Sequence, residues 1–161
     1  MRSERLDSQP NSRAETRGSA IAHGSALLIG LPLWFFLPLY IALIPCPVVA
    51  YMISRFFRRR KLAWGAFQGM QAAVMHLLIL TLIFVGSLAD MASNLGLSLW
   101  TSGVVLFLYS LWGAVDTALG YDFRYIGIGS LLDRVSQANL ARQERRRRWF
   151  GGWSGKDNQD R

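Results

Sequence analysis

Residues 55–61 read RFFRRRK, and residues 62–123 behind them read LAWGAFQGMQAAVMHLLILTLIFVGSLADMASNLGLSLWTSGVVLFLYSLWGAVDTALGYDF. The second string contains no Lys or Arg, and its only acids are Asp90, Asp116 and Asp122. Crossing a hydrocarbon core of about 30 Å takes about 20 apolar residues at about 1.5 Å of helical rise each. The string therefore predicts two membrane-spanning helices, about 63–88 and 97–119, joined by the cation-free loop 89–96.

Upstream, residues 18–54 carry no charge of either sign. This block is too long for one straight helix and short for two full ones. Pro32, Pro38, Pro45 and Pro47 lie within it, and each removes a backbone donor and kinks or ends a helix. The density of breakers at Ile44-Pro-Cys-Pro47 predicts a helix over 20–42, a tight turn near Pro45 and a second helix over 47–59 that opens on Pro47. A turn near Pro32 is the alternative. The resulting fold class is all-α: a polytopic membrane bundle of about four helices in two hairpins, spanning 20–125. A disordered tail over 1–19, a basic amphipathic helix within 126–150 and a flexible tail over 151–161 complete the organisation.

All 18 cations fall in residues 2–17, 55–61 and 124–161. Cytoplasmic segments next to membrane helices are rich in Lys and Arg. Five cations at 55–61 and nine from Arg124 onward flank the last hairpin, so both edges are expected on the cytoplasmic side, with the N-terminal tail beside them. The expected location is a bacterial plasma membrane or a thylakoid-like membrane. Trp64 and Trp100 fall near opposite faces, where interfacial tryptophans belong. A hydrophobic content of 52% beside a net charge of +8 fits such a chain and not a soluble globule. The single cysteine, Cys46, excludes a disulfide framework. The polar start, with Glu4, Asp7 and Glu15, is not expected to be a cleaved signal or a transit peptide.

Helical spacing gathers Gly65, Gln68, Gly69, Ala72 and His76 on one side of the third helix, and Gly65-x-x-x-Gly69-x-x-x-Ala73 is a small-residue ladder of the kind that lets membrane helices approach. Ser102, Tyr109, Gly113, Asp116, Thr117 and Gly120 share a side of the fourth. These two faces are expected to pack together, with Gln71 beside them. An intramembrane carboxylate is costly, so Asp116 is either a contact residue bonded to a Gln or an Arg, a hydrated interfacial group, or a transport or relay group. His76 and His23 are expected as hydrogen-bonded packing residues. No catalytic, cofactor or metal motif is present; Gly127-Ile-Gly129 lacks the third glycine of a dinucleotide loop. The chain is therefore not expected to be an enzyme or to hold a cofactor.

Toward the C-terminus, Ser130-Leu-Leu-Asp133 resembles a capping box and predicts a helix from about 131 to 148. Arg145, Arg146, Arg147 and Arg148, followed by Trp149, Phe150 and Trp153, suit anionic lipid headgroups, as do Arg58, Arg59, Arg60 and Lys61. The alternative is RNA or an acidic protein, since phosphate contacts need only clustered cations. Tethering to a membrane favours lipid, and no specific nucleic acid is expected.

Two short stretches resemble the Tic-twenty-like family of small bacterial and plastid membrane proteins, relatives of a chloroplast inner-envelope import component. Phe67-Gln-Gly-Met-Gln-Ala72, after a basic loop, is similar to the family's aromatic-Asn-x-x-Gln-Ala element, with Gln68 in place of Asn. Gly120-Tyr-Asp-Phe-Arg-Tyr125 is similar to its Gly-x-x-Tyr-Arg-Tyr exit from the last helix, with Ile126 where proline often follows. His23 before a proline-broken helix pair also fits. The resemblance implies a non-enzymatic role in protein translocation or membrane-protein assembly, with other membrane proteins (a second copy or another chain) as partners. The alternatives are a structural accessory subunit of a larger complex and a small-solute or ion transporter using Asp116.

Overall fold

A computed structural model describes residues 12–89, 93–135 and 138. The chain divides into two compact units, Met1–Tyr125 and Ile126–Arg161. Among the described residues every regular element is helical.

In the first unit, α1 (Arg13–Ser25) starts with a capping box: the Ser12 hydroxyl accepts from the Glu15 N–H, and the Glu15 carboxylate accepts from the Ser12 N–H. Helical structure thus begins inside the segment expected to be a disordered tail. It continues through a π turn, Ala26–Gly30, into α2 (Leu31–Trp34). Pro32 explains the wide turn. Its ring crowds the carbonyl one turn earlier and it offers no N–H in return, and a π turn directly ahead moves that carbonyl aside.

The break then falls at Phe35–Pro38, between the two expected positions. Pro38 disfavours helix in the residue before it, and Leu37 N–H closes back on Leu33 at 2.9 Å. α3 (Leu39–Leu43) and α4 (Pro45–Arg59) follow, offset only at Ile44. Pro45 and Pro47 open α4 rather than ending a helix, because the first turn needs no backbone donors from them. The second helical run is correspondingly longer than the expected 47–59, and the first stops short of residue 42.

α4 ends in a Schellman motif. Leu62 N–H reaches Phe57 O at 3.0 Å, Lys61 N–H reaches Arg58 O at 3.1 Å, and Lys61 takes the left-handed φ of 59°. α5 (Ala63–Leu88) and α6 (Asn94–Ala118) are the long helices, with 26 and 25 residues, or about 39 and 37 Å. α6 closes with a second Schellman motif: Tyr121 N–H bonds Asp116 O, Gly120 N–H bonds Thr117 O, and Gly120 has φ 87°.

α5 and α6 run in opposite directions. Gly86 lies against Gly96 and Trp100, Ile83 against Gly103, and His76 against Ser110. The small residues of α6 that meet its neighbours are Gly96, Gly103, Ser110 and Thr117, a seven-residue repeat, with Gly113 between the last two. Ser102 is exposed. The ladder Gly65/Gly69 does not face α6 at all. A Cβ on Gly69 would stand 2.8 Å from Ser54 N, and one on Gly65 2.8 Å from the Phe57 ring, so the ladder is where α4 crosses. α1 lies among α4, α5 and α6, and the alanines Ala22, Ala50, Ala72 and Ala73 form a compact core where it meets them.

In the second unit, residues 128–135 are helical. Ser130 lies inside that helix, its hydroxyl donating to Gly127 O, instead of capping a helix start. The remainder of the expected 131–148 helix, with Arg145–Arg148, lies outside the described residues.

Candidate functional site: a buried polar cluster

His23, Gln68, Gln71, His76 and Ser110 are each at most 2% exposed, and Tyr125 is 1% exposed. They come from α1, α5, α6 and the segment that leaves α6. Buried polar groups are stable only when paired, so their bonds must account for one another.

The exit segment is held by two glutamine side chains. Gln71 Nε2 donates to Phe123 O at 3.3 Å while its Oε1 accepts from Tyr125 N–H at 3.1 Å. One side-chain amide thus brackets residue 124 as a neighbouring β-strand would. Gln68 Nε2 donates to Phe123 O and to Asp122 Oδ1, both at 3.0 Å. Asp122 also accepts from Trp64 Nε1 at 3.2 Å and pairs with Arg124 at 3.0 Å, which fixes the segment to the start of α5.

These bonds decide the histidine tautomers. Both amide protons of Gln68 point to the exit segment, so its Oε1 faces His23 Nε2 at 3.2 Å and that nitrogen carries the proton. His23 Nδ1 lies 2.7 Å from the Tyr125 hydroxyl, which also reaches the Ser110 hydroxyl at 3.2 Å. His76 Nε2 lies 3.1 Å from the carbonyl of His23, which can only accept, so that nitrogen is the donor. Its Nδ1 faces the Ser25 hydroxyl at 3.2 Å. Ser110 donates to the same His23 carbonyl at 3.0 Å, using the second lone pair. Every ring nitrogen of the two histidines has a partner. The rings of Tyr109, Phe123 and Tyr125 pack edge-on to one another with centroids 4.9–5.5 Å apart, and His23 meets Phe123 and Tyr125 at 5.9 and 5.3 Å. Gly113 makes room for Phe123: a Cβ there would stand 2.7 Å from its ring.

A second buried contact lies toward the basic turn. Glu15 is 7% exposed, and its Oε1 accepts from Gly65 N–H at 3.2 Å. Gly65 is in the first turn of α5, whose N-cap residue, Leu62, has no side-chain acceptor. One carboxylate therefore caps two helices, and both helix dipoles favour it. Ser54 donates to Ala66 O at 2.7 Å beside it. Among the described residues, Ser19 Oγ is a buried polar atom with no partner.

Of the residues singled out in the sequence, Gln68, Gln71 and His76 join the cluster. Gly65, Gly69 and Ala72 build the crossings around it, and Gly113 and Gly120 shape the exit. Thr117 bonds back to Gly113 O in its own helix at 2.7 Å. Asp116 is half-buried and stands outside the cluster; neither glutamine bonds it, because both amides are held by residues 122–125. Arg58, Arg59, Arg60 and Lys61 are exposed. Sequence reading did not single out Ser110, Glu15 or the backbone of Phe123 as functional. The seven-residue spacing from Gly96 through Gly103 and Ser110 to Thr117 was the available signal for Ser110.

Three helical runs, Leu39–Arg59, Ala63–Leu88 and Asn94–Ala118, are long and apolar enough to cross a membrane. An all-helical chain with such runs is compatible with a multi-pass membrane protein. Compared with models of known families, with curated proteins and with solved structures, the chain matches none.

Proposed function

We propose that this chain is a small, non-enzymatic, multi-pass membrane protein of Tic-twenty-like type that assists protein translocation or membrane-protein assembly. The observation that carries this reading is the convergence of the short motifs behind the resemblance. His23, the Gln68-to-Gln71 element and the Gly120-to-Tyr125 exit lie far apart in sequence and meet in one hydrogen-bonded cluster. Motifs that matched by accident have no reason to be mutual partners.

The proposed arrangement is four crossings in two hairpins with both termini cytoplasmic, and contacts along the bundle support it. Glu15 stands level with Gly65, Ser25 with His76, and Tyr40 packs its ring on Phe84. The first helical run and α3–α4 therefore extend along the same depth as α5. The start of α1, the basic turn and the exit of α6 gather at one end, as a common cytoplasmic side requires.

Purification of the full chain in mild detergent, with mass spectrometry of its partners, tests the role. Co-purifying translocase or insertase components support it, and a lone monomer counts against it. A reporter active only outside the cytoplasm, fused after Arg148, is expected to be silent; activity there overturns the orientation.

A second reading, a structural accessory subunit of a larger complex, is favoured by the outer face of α6. Val105, Leu108, Trp112 and Val115 are 57–64% exposed there. A stable stoichiometric complex in the same purification supports that reading. A transporter using Asp116 has less support, because Asp116 lies apart from the buried polar groups.

A further inference from the structure

We propose that the groove between α4 and α5 binds the phosphodiester headgroup of an anionic membrane lipid. The groove encloses about 320 Å³ and is lined by Tyr51, Ser54, Arg55, Arg58 and Arg59 of α4 and Met70 of α5. That volume lies at the small end of ligand clefts, about 300 Å³ upward. The inference rests on the membrane reading above.

Arg55, Arg58 and Arg59 stand at i, i+3 and i+4, which places three guanidinium groups on one helix face. Like charges at that spacing repel, so a counter-charge is needed. Among the described residues no ion pair supplies it: the pair seen is Arg124 with Asp122, and Glu15 is held by Ser12 and Gly65. Arg60 is differently placed, stacked over the Phe56 ring at 4.3 Å. Guanidinium groups pair with phosphate in two-point geometry, so three of them with no ion pair among the described residues fit a phosphodiester.

The rest of the groove favours an amphiphile over a free anion. Ser54 is closed onto Ala66 O and Met70 is half-buried, so the floor is apolar. Val48 and Met52, two turns and one turn before the arginines on the same face, are 56% and 59% exposed. They continue the groove as an apolar track for an acyl chain. The arginines close the span Leu39–Arg59, at the depth where headgroups stand if α4 crosses the bilayer.

The test is native mass spectrometry of the full chain in neutral detergent, titrated with phosphatidylglycerol, phosphatidylcholine or inorganic phosphate. Phosphatidylglycerol is expected to bind in preference to phosphatidylcholine. R55Q/R58Q/R59Q is expected to weaken it by about fivefold per arginine. R13Q/R17Q, which removes two exposed cations at the start of α1 outside the groove, is expected to stay within twofold. M70W narrows the groove at constant charge and is expected to weaken binding too, and it serves as the test if the triple variant loses helix content. Equal retention of the two lipids, equal losses in the two charge variants, or phosphate binding as tight as phosphatidylglycerol each overturns the site. Alkaline carbonate extraction tests the membrane reading separately. A chain that resists extraction yet shows no headgroup preference loses only this proposal.

Discussion

Gln71 holds two backbone groups of the exit segment with one side-chain amide. Replacing it with Leu leaves Tyr125 N–H and Phe123 O buried with one fewer partner, and unmade buried bonds cost about 1–3 kcal/mol each. Q71L is expected to destabilise the chain by about 2–4 kcal/mol in detergent unfolding, and an unchanged midpoint would remove the bracketing role given to it. H23F and Y125F should each cost about 1–3 kcal/mol, and their double-mutant cycle should return a coupling of about 1 kcal/mol for the bond between them. Full additivity would mean that the bond between the two side chains contributes nothing. E15A should cost about 1–2 kcal/mol through two unsatisfied helix starts, read from the same unfolding curves. Part of this was legible in the sequence. Glutamines and a histidine on one helical side of an apolar segment announce a polar contact. Their partners were not legible, because Gln68 and Gln71 bond mainly to backbone atoms of residues 123 and 125, and any residue type supplies a backbone carbonyl. Glu15 was hidden for a similar reason: its partner is a glycine N–H in another helix.

At the scale of elements, the long apolar segments were readable because a length of about 20 residues without charge has few alternatives. The proline-rich block was readable only in part. Four prolines were visible, and Pro47 was read as opening a helix, but sequence did not say which of the other three would end a run, begin one or be absorbed. Pro38 proved to end a run, Pro45 and Pro47 to begin one, and Pro32 to be absorbed by a π turn. The small-residue ladder was recognised, and its partner helix was assigned wrongly. Gly65 and Gly69 meet α4 because the tight turn at Arg60–Leu62 brings α4 back along the start of α5. That turn holds Lys61 in a left-handed conformation costing about 1 kcal/mol for a residue with a Cβ. K61G should therefore raise the unfolding free energy by about 1 kcal/mol, whereas G120A, at a φ of 87°, should lower it by a similar amount. Shifts of the same sign for the two substitutions would contradict the paired Schellman ends.

For the whole molecule, the division after Tyr125 makes a further prediction. A chain ending at Tyr125 keeps every bond described for the cluster and should unfold within about 1 kcal/mol of the full chain. A chain ending at Leu119 loses Phe123 and Tyr125, leaves His23, Gln68 and Gln71 without their partners, and should be degraded or aggregate when expressed. Equal yields of the two truncations would mean the exit segment is dispensable. The placement of this segment also has a consequence in time. His23 is made early, and the hydroxyl it bonds lies 102 residues later. At about 5–20 residues per second, the ribosome needs roughly 5–20 s to bring that partner out. The Gln68 amide that meets Nε2 is made 45 residues after the histidine, and throughout the whole interval Nδ1 lacks the Tyr125 hydroxyl. Something else must shelter it, whether water at the mouth of the insertion machinery or the machinery's own polar groups. The chain is thus built so that its earliest helix is finished last, and the final residues synthesised in the first unit are the ones that release it.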